Sequence, residues 1–212
     1  MTDAAVSDPR DAAIDAFLGL VADKGYGGVA LRDVAEATGL GLAALYGLFR
    51  DKPALVAAFL GRVDRTVLAG TAVGLDPEET TRDRLFDVMM RRYDALRPYR
   101  TAVAAVHRAA RRDPALALAL APALRRSMAA MLEAAAVPSD GIPGAVRQMG
   151  LLAVHEAVSR VFENDDSADL SKTMAALDGR LKRAENWAQR LEKFTQTKSD
   201  TSPAPDSNAP AP

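Results

Sequence analysis

The chain of 212 residues is 49% hydrophobic and 26% charged, ordinary values for a globular protein with room for a real apolar core. A formal net charge of −1 removes any global attraction to nucleic acid or anionic lipid. The absence of cysteine excludes disulfides, thiolate metal sites and a thiol nucleophile, and it suits a reducing compartment.

The opening stretch MTDAAVSDPRDAA has neither a basic region nor an apolar run, so no signal peptide is expected. The first helix follows Asp8-Pro9, an N-cap and a first-turn proline. Ile14, Phe17, Leu18 and Val21 fall at i, i+3, i+4, i+7 along it, and Gly25, Gly27 and Gly28 stop it. The pattern predicts a second helix over Leu31–Thr38, ended by Gly39, and a third over Leu42–Leu48. Asp51-Lys52-Pro53 restarts a longer helix through Phe59, Val63 and Val67, and residues 70–77 read as a linker. Further helices are expected over 79–96, 99–111, 113–136, 143–163 and 169–194. Pro122 should kink the one that contains it. The longest apolar run, 115–124, includes that proline and is too short to span a bilayer. The tail from 195 to 212 lacks Val, Ile, Leu, Met and Phe, cannot bury apolar surface, and is expected to be disordered. With no sustained period-two alternation, the fold class is all-α with about nine helices. Its expected divisions are a loose N-terminus (1–8), a head (9–66), a helical body (67–194) and the tail (195–212).

The second helix, Gly39 and the third helix form a helix-turn-helix outline. More specifically, KGYGGVALRDVAEATGLGLAALYGLFRDKPAL resembles the N-terminal domain of the tetracycline-repressor (TetR) family. The matching positions include Phe17, Gly25, Tyr26, Arg32, Asp33, Val34, Ala35, Gly39, Leu40, Leu45, Tyr46, Phe49, Lys52 and Leu55. The resemblance implies an all-α homodimer that binds operator DNA through its head and a small ligand in its body. It also implies that Arg32, Gly41, Leu42, Ala43, Tyr46, Arg50 and Lys52 face DNA. Three positions depart from the family pattern. Ala30 stands where a Ser or Thr cap is usual, Gly41-Leu42-Ala43-Ala44 replaces a Ser-led polar stretch, and Leu48 replaces an aromatic or His phosphate contact. Stretches 82–100, 128–137 and 169–181 are similar to the TetR-fold ubiquinone-biosynthesis accessory family. That similarity implies an isoprenoid-like ligand and peripheral membrane contact through the last helix.

The residues themselves argue less for base reading. Ala43 and Ala44 can at most touch a thymine methyl, while Arg32, Arg50, Lys52 and the Tyr46 hydroxyl suit phosphates. Residues 1–60 hold five cations against eight anions, an unfavourable start for phosphate binding.

His107 and His155 sit within apolar helices and read as core or pocket histidines; no metal or other cofactor is expected, and no catalytic constellation points to an enzyme. Asp165, Asp166 and Asp169 read as helix caps. Residues 82–112 hold nine arginines against three aspartates. Arg91-Arg92 and Arg111-Arg112 suit an acidic ligand, a lipid headgroup or a partner, or else solvated faces with local pairs. A cavity in the body would be lined by Met89, Tyr93, His107, Met128, Met131, Leu132, His155 and Phe162, with the methionines serving as adaptable walls or as core filler. The last helix repeats Leu170, Met174, Leu177 and Leu181, a seam for the core, a second subunit or a membrane, with Trp187 beside it.

Overall fold

The computed structural model describes residues 8–71 and 78–200, with side chains as far as Trp187. The described residues form nine α-helices and two 3₁₀ turns, with no strand. They are α1 (Pro9–Lys24), α2 (Leu31–Thr38), α3 (Leu42–Leu48), α4 (Lys52–Ala69), α5 (Thr81–Leu96), α6 (Arg100–Arg112), α7 (Pro114–Ala134), α8 (Gly141–Phe162) and α9 (Ser171–Asp200).

Local chemistry sets most of these ends. Asp8 accepts from the Arg10 amide at 2.9 Å, Asp51 from the Ala54 amide at 2.8 Å, and Asp113 from Ala115 and Leu116. Gly39 ends α2 at φ 69°, a left-handed conformation that a Cβ would strain. At Ala30 half of a capping box survives: the side chain that would bond forward is gone, but Asp33 still accepts the Ala30 amide at 2.8 Å.

The head core joins Phe17, Val34, Leu45, Phe49 and Leu55, all at most 2% exposed. The same core continues into the body through α4, which packs most extensively on α7, while α1 also meets α6. Helix α7 runs unbroken through Pro122, close to the expected 113–136. By length and composition it is the one described helix apolar enough to cross a membrane; here Leu116, Leu120, Ala123, Met128, Met131 and Leu132 are buried within the fold.

Differences from the sequence reading lie at the ends. Helix α9 continues to Asp200, because backbone i→i−4 bonds need no apolar burial to extend a helix already begun. The expected disorder of the tail beyond 200, the loose residues 1–7 and the linker at 72–77 lie outside the described residues.

Candidate DNA-reading head and ligand cavity

Gly41 caps α3 with extended backbone, and Leu42, Ala43, Ala44 and Tyr46 form its outer face. Leu45 points into the core. Tyr46 is 55% exposed and brings the only side-chain hydrogen-bonding group of α3 to the surface. Arg32 is exposed on α2, and the Arg50 side chain is 89% exposed at 3.3 Å from Asp51.

Lys52 is arranged differently. Its ammonium donates to the carbonyls of Tyr26 and Val29 at 2.8 and 2.9 Å and lies 4.4 Å from the centre of the Tyr26 ring. Burial lowers its pKa below the usual lysine range. One N–H remains for any outside partner. The matching lysine position thus ties the start of α4 to the loop after α1.

The head's acids also have structural partners. Asp8 and Asp51 cap helices and Asp33 holds the Ala30 amide. Asp11 and Asp15 flank Arg62 of α4, whose guanidinium lies over Phe59 and Tyr99. The unfavourable charge count of the head is therefore largely a set of caps and inter-helix ties, not a layer of acid over α3.

In the body, the predicted pocket residues separate into groups. His107 and His155 line a cavity of about 40 Å³, with walls from Leu18 on α1, Val56, Phe59 and Leu60 on α4, and residues of α5, α6 and α7. Leu132 instead lines a wider apolar groove of about 400 Å³ between α5, α7, α8 and α9, where Trp187 also lies. Met89, Tyr93, Met128, Met131 and Phe162 are wholly buried core that lines neither space. The methionines are filler here because helix packing around them leaves no gap.

Polar groups reach the small cavity in pairs. The Tyr93 hydroxyl lies 3.1 Å from His155 Nδ1 and donates to the His155 carbonyl at 3.3 Å. Burial, then the Arg92 charge and His107, hold the His155 pKa well below the usual histidine range, so this ring is neutral. His107 Nδ1 lies 2.8 Å from Glu163, which also pairs with Arg111 at 3.3 Å. Burial raises the Glu163 pKa, but the hydrogen bonds from His107 and Arg111 outweigh it, so the carboxylate stays charged.

The residue whose place sequence reasoning missed is Arg92. It is 0% exposed, lines the cavity, and donates from Nη1 to Asp64 at 2.7 Å. Asp64 in turn accepts from the Ser127 hydroxyl at 2.5 Å. Arg92 Nε and Nη2 have no hydrogen-bond partner in the protein. Other arginines of the basic stretch bind backbone: Arg84 donates to the Ala135 carbonyl, Arg91 to Gly70, Arg97 to Ala168 and Arg100 to Asp165. The expected solvated faces with local pairs are thus replaced, for these four, by ties to distant chain segments. A guanidinium on a long stem reaches carbonyls that helix spacing does not reveal.

Residues 13–59 match the family profile described as bacterial regulatory proteins, tetR family. The whole fold resembles a TetR transcriptional regulator from Nitrosomonas europaea at 21% identity and TM-score 0.67, over 84% of this chain and 99% of that one. It also resembles a TetR transcriptional regulator from Rhodococcus sp. RHA1 (19%, TM-score 0.57, 82% and 96% of the two chains). The fatty acid degradation regulator FadR from Bacillus halodurans is similar to the same degree (19%, TM-score 0.56, 82% and 95%). No curated relative matches the sequence. The chain thus carries a tetR-family regulatory domain at 13–59, continued by a helical body into the fold that TetR-family regulators share.

Proposed function

We propose that this protein is a cytoplasmic, homodimeric transcription regulator that binds operator DNA with its head and a small apolar ligand in its body. The observation that carries the reading is the course of α4. At Lys52 it is bonded into the head, and at Val56, Phe59 and Leu60 it forms the cavity wall. Its 18 residues span about 27 Å. A ligand that displaces this wall, together with Leu18 of α1, moves helices on which the head is built.

The DNA chemistry is that of positioning more than reading. Arg32, Arg50 and the Tyr46 hydroxyl supply phosphate contacts, while Gly41, Leu42 and Ala43 let the backbone and small apolar groups approach the groove. Affinity should therefore be strongly salt-dependent and sequence discrimination modest.

A mobility shift against the protein's own upstream DNA, at low and physiological salt, tests this. Arg32→Ala should weaken binding to all sequences alike and reduce the salt slope by about one. No retarded complex with any upstream fragment at low salt would sink the DNA reading. The lipid-binding alternative would then take over, supported by the donor-free outer face of α3 at Leu42, Ala43 and Ala44 and by the groove beside Trp187. An isoprenoid-like lipid co-purifying with the chain, and a Trp187 blue shift on anionic liposomes, are its expected signatures.

A further inference from the structure

Arg92 is wholly out of water, yet only one of its three nitrogens is bonded within the protein. Leaving buried donors without acceptors is costly, and leaving a buried charge under-coordinated is more so. Which donors are free is informative. Nη1 is taken by Asp64, so the open edge is Nε with Nη2. On a guanidinium these two N–H groups lie side by side and point the same way, the fork that meets both oxygens of one carboxylate.

Charge and shape narrow the occupant. Asp64 neutralises Arg92 formally, but its side chain stays 15% exposed, so water screens it more than it screens the arginine. Both imidazoles are anchored through Nδ1, which leaves Nε2 as the ring atom each has for a ligand. Every other wall is aliphatic or aromatic, including Leu18, Phe59, Leu96, Val106 and Leu120. A water needs about 10–15 Å³ of such space, so about 40 Å³ has room for the hydrocarbon of a short acid, and the packing over the fully buried Nε and Nη2 parts to admit its carboxylate.

We propose that this cavity is an acid-selective effector site in which the free edge of Arg92 binds the carboxylate of a small apolar monocarboxylic acid. The proposal rests on reading the body as a ligand domain and adds the chemical class of the ligand. The carboxylate completes the Arg92 coordination, the hydrocarbon part lies against Val106, Leu120 and Leu96, and the polar end sits beside the arginine that holds α5 to Asp64 of α4.

The test is calorimetric titration of the full chain, without DNA, with acetate, butyrate, isovalerate and hexanoate and with the matching primary amides. At least one acid should bind, and its amide about tenfold or more weaker, because a neutral amide cannot accept both N–H groups as a carboxylate does. Arg92→Lys keeps the charge opposite Asp64 but loses the fork, and should weaken the best acid about tenfold or more. Val106→Phe fills the cavity, leaves Arg92 in place and should abolish binding. Acid and amide binding alike would mean the guanidinium edge is merely hydrated, and overturns the proposal. So does the absence of binding by every acid up to about 10 mM, a concentration well above a millimolar Kd, and so does an acid bound equally by wild type and both variants. The acid-to-amide comparison on wild type needs no variant to fold. Because no DNA is present, failure here leaves the operator experiment standing, and failure of operator binding leaves this result standing.

Discussion

His155 is buried, and two neighbours, Arg92 and His107, further oppose its protonation. The folded chain therefore refuses a proton that the unfolded chain accepts near pH 6.5. The stabilisation from keeping this ring neutral is complete above that pH and is lost on acidification, by up to about 1.4 kcal/mol per pH unit below about pH 6.5. Urea unfolding at several values between about pH 7.5 and 5.5 should show the decline. His155→Gln, which has no charge to refuse, should flatten it; an unchanged slope in that variant would place the titration elsewhere. The position was visible in the sequence as a histidine inside the apolar stretch LAVHEAV, but not its neighbours. Tyr93 and Arg92 lie on a helix more than sixty residues earlier, and only packing brings them to it.

Helix α9 begins under unusual local conditions. Leu170, which precedes it, is fully buried at φ 55°, a backbone state that leucine seldom adopts. Asp165 holds the turn together: one oxygen accepts from the Ser167 amide and hydroxyl, and the other from the Thr173 amide and hydroxyl at 2.7 and 2.6 Å. Burial alone would raise the pKa of this carboxyl, but these bonds outweigh it and hold it far below the usual range. Asp165→Ala should therefore cost about 1–3 kcal/mol, the range for a lost cap plus buried donors left unpaired. Its neighbour Asp166 makes an exposed pair with Lys172 at 2.6 Å that water and salt screen, and Asp166→Ala should cost clearly less than Asp165→Ala. Denaturant midpoints compare the two directly, and equal losses would refute the assignment of the cap to Asp165. The acidic cluster was recognisable beforehand as capping material. That the cap lies five residues ahead of Leu170 was not, since it depends on the loop folding back through Ser167.

At the scale of the molecule, apolar surface is unevenly spread. Ile142 is 84% exposed, Val146 54% and Met149 59%; these residues fall at i, i+4, i+7 on α8. Met174 and Trp187 of α9 add to the exposed apolar area. An apolar face of this kind is what a second subunit would cover. Light scattering at micromolar concentration should give two chains. Val146→Glu with Met149→Glu should shift the population toward monomer without unfolding it, because neither side chain belongs to the buried core. A doubly substituted protein that remains fully dimeric would move the interface off this face of α8.

Helix periods, proline and aspartate starts and glycine stops were enough to place α2 and α3 and to bring most other helices close to their bounds. These signals are local: capping and backbone preference act within one turn, and an apolar stripe must face some core whatever that core is. The tetR-type head was legible by resemblance, since residues such as Gly25, Tyr26, Gly39, Tyr46 and Phe49 match that family's pattern in order. Which residues would share a cavity was decided only by tertiary structure. The methionines that might have walled a pocket were closed into the core, while Arg92, one of nine arginines in a basic stretch, was turned inward against Asp64 and beside two histidines. A buried charge is tolerated only where distant groups meet it, and the meeting of α4, α5, α6 and α8 at that point is a property of packing that no single stretch of sequence contains.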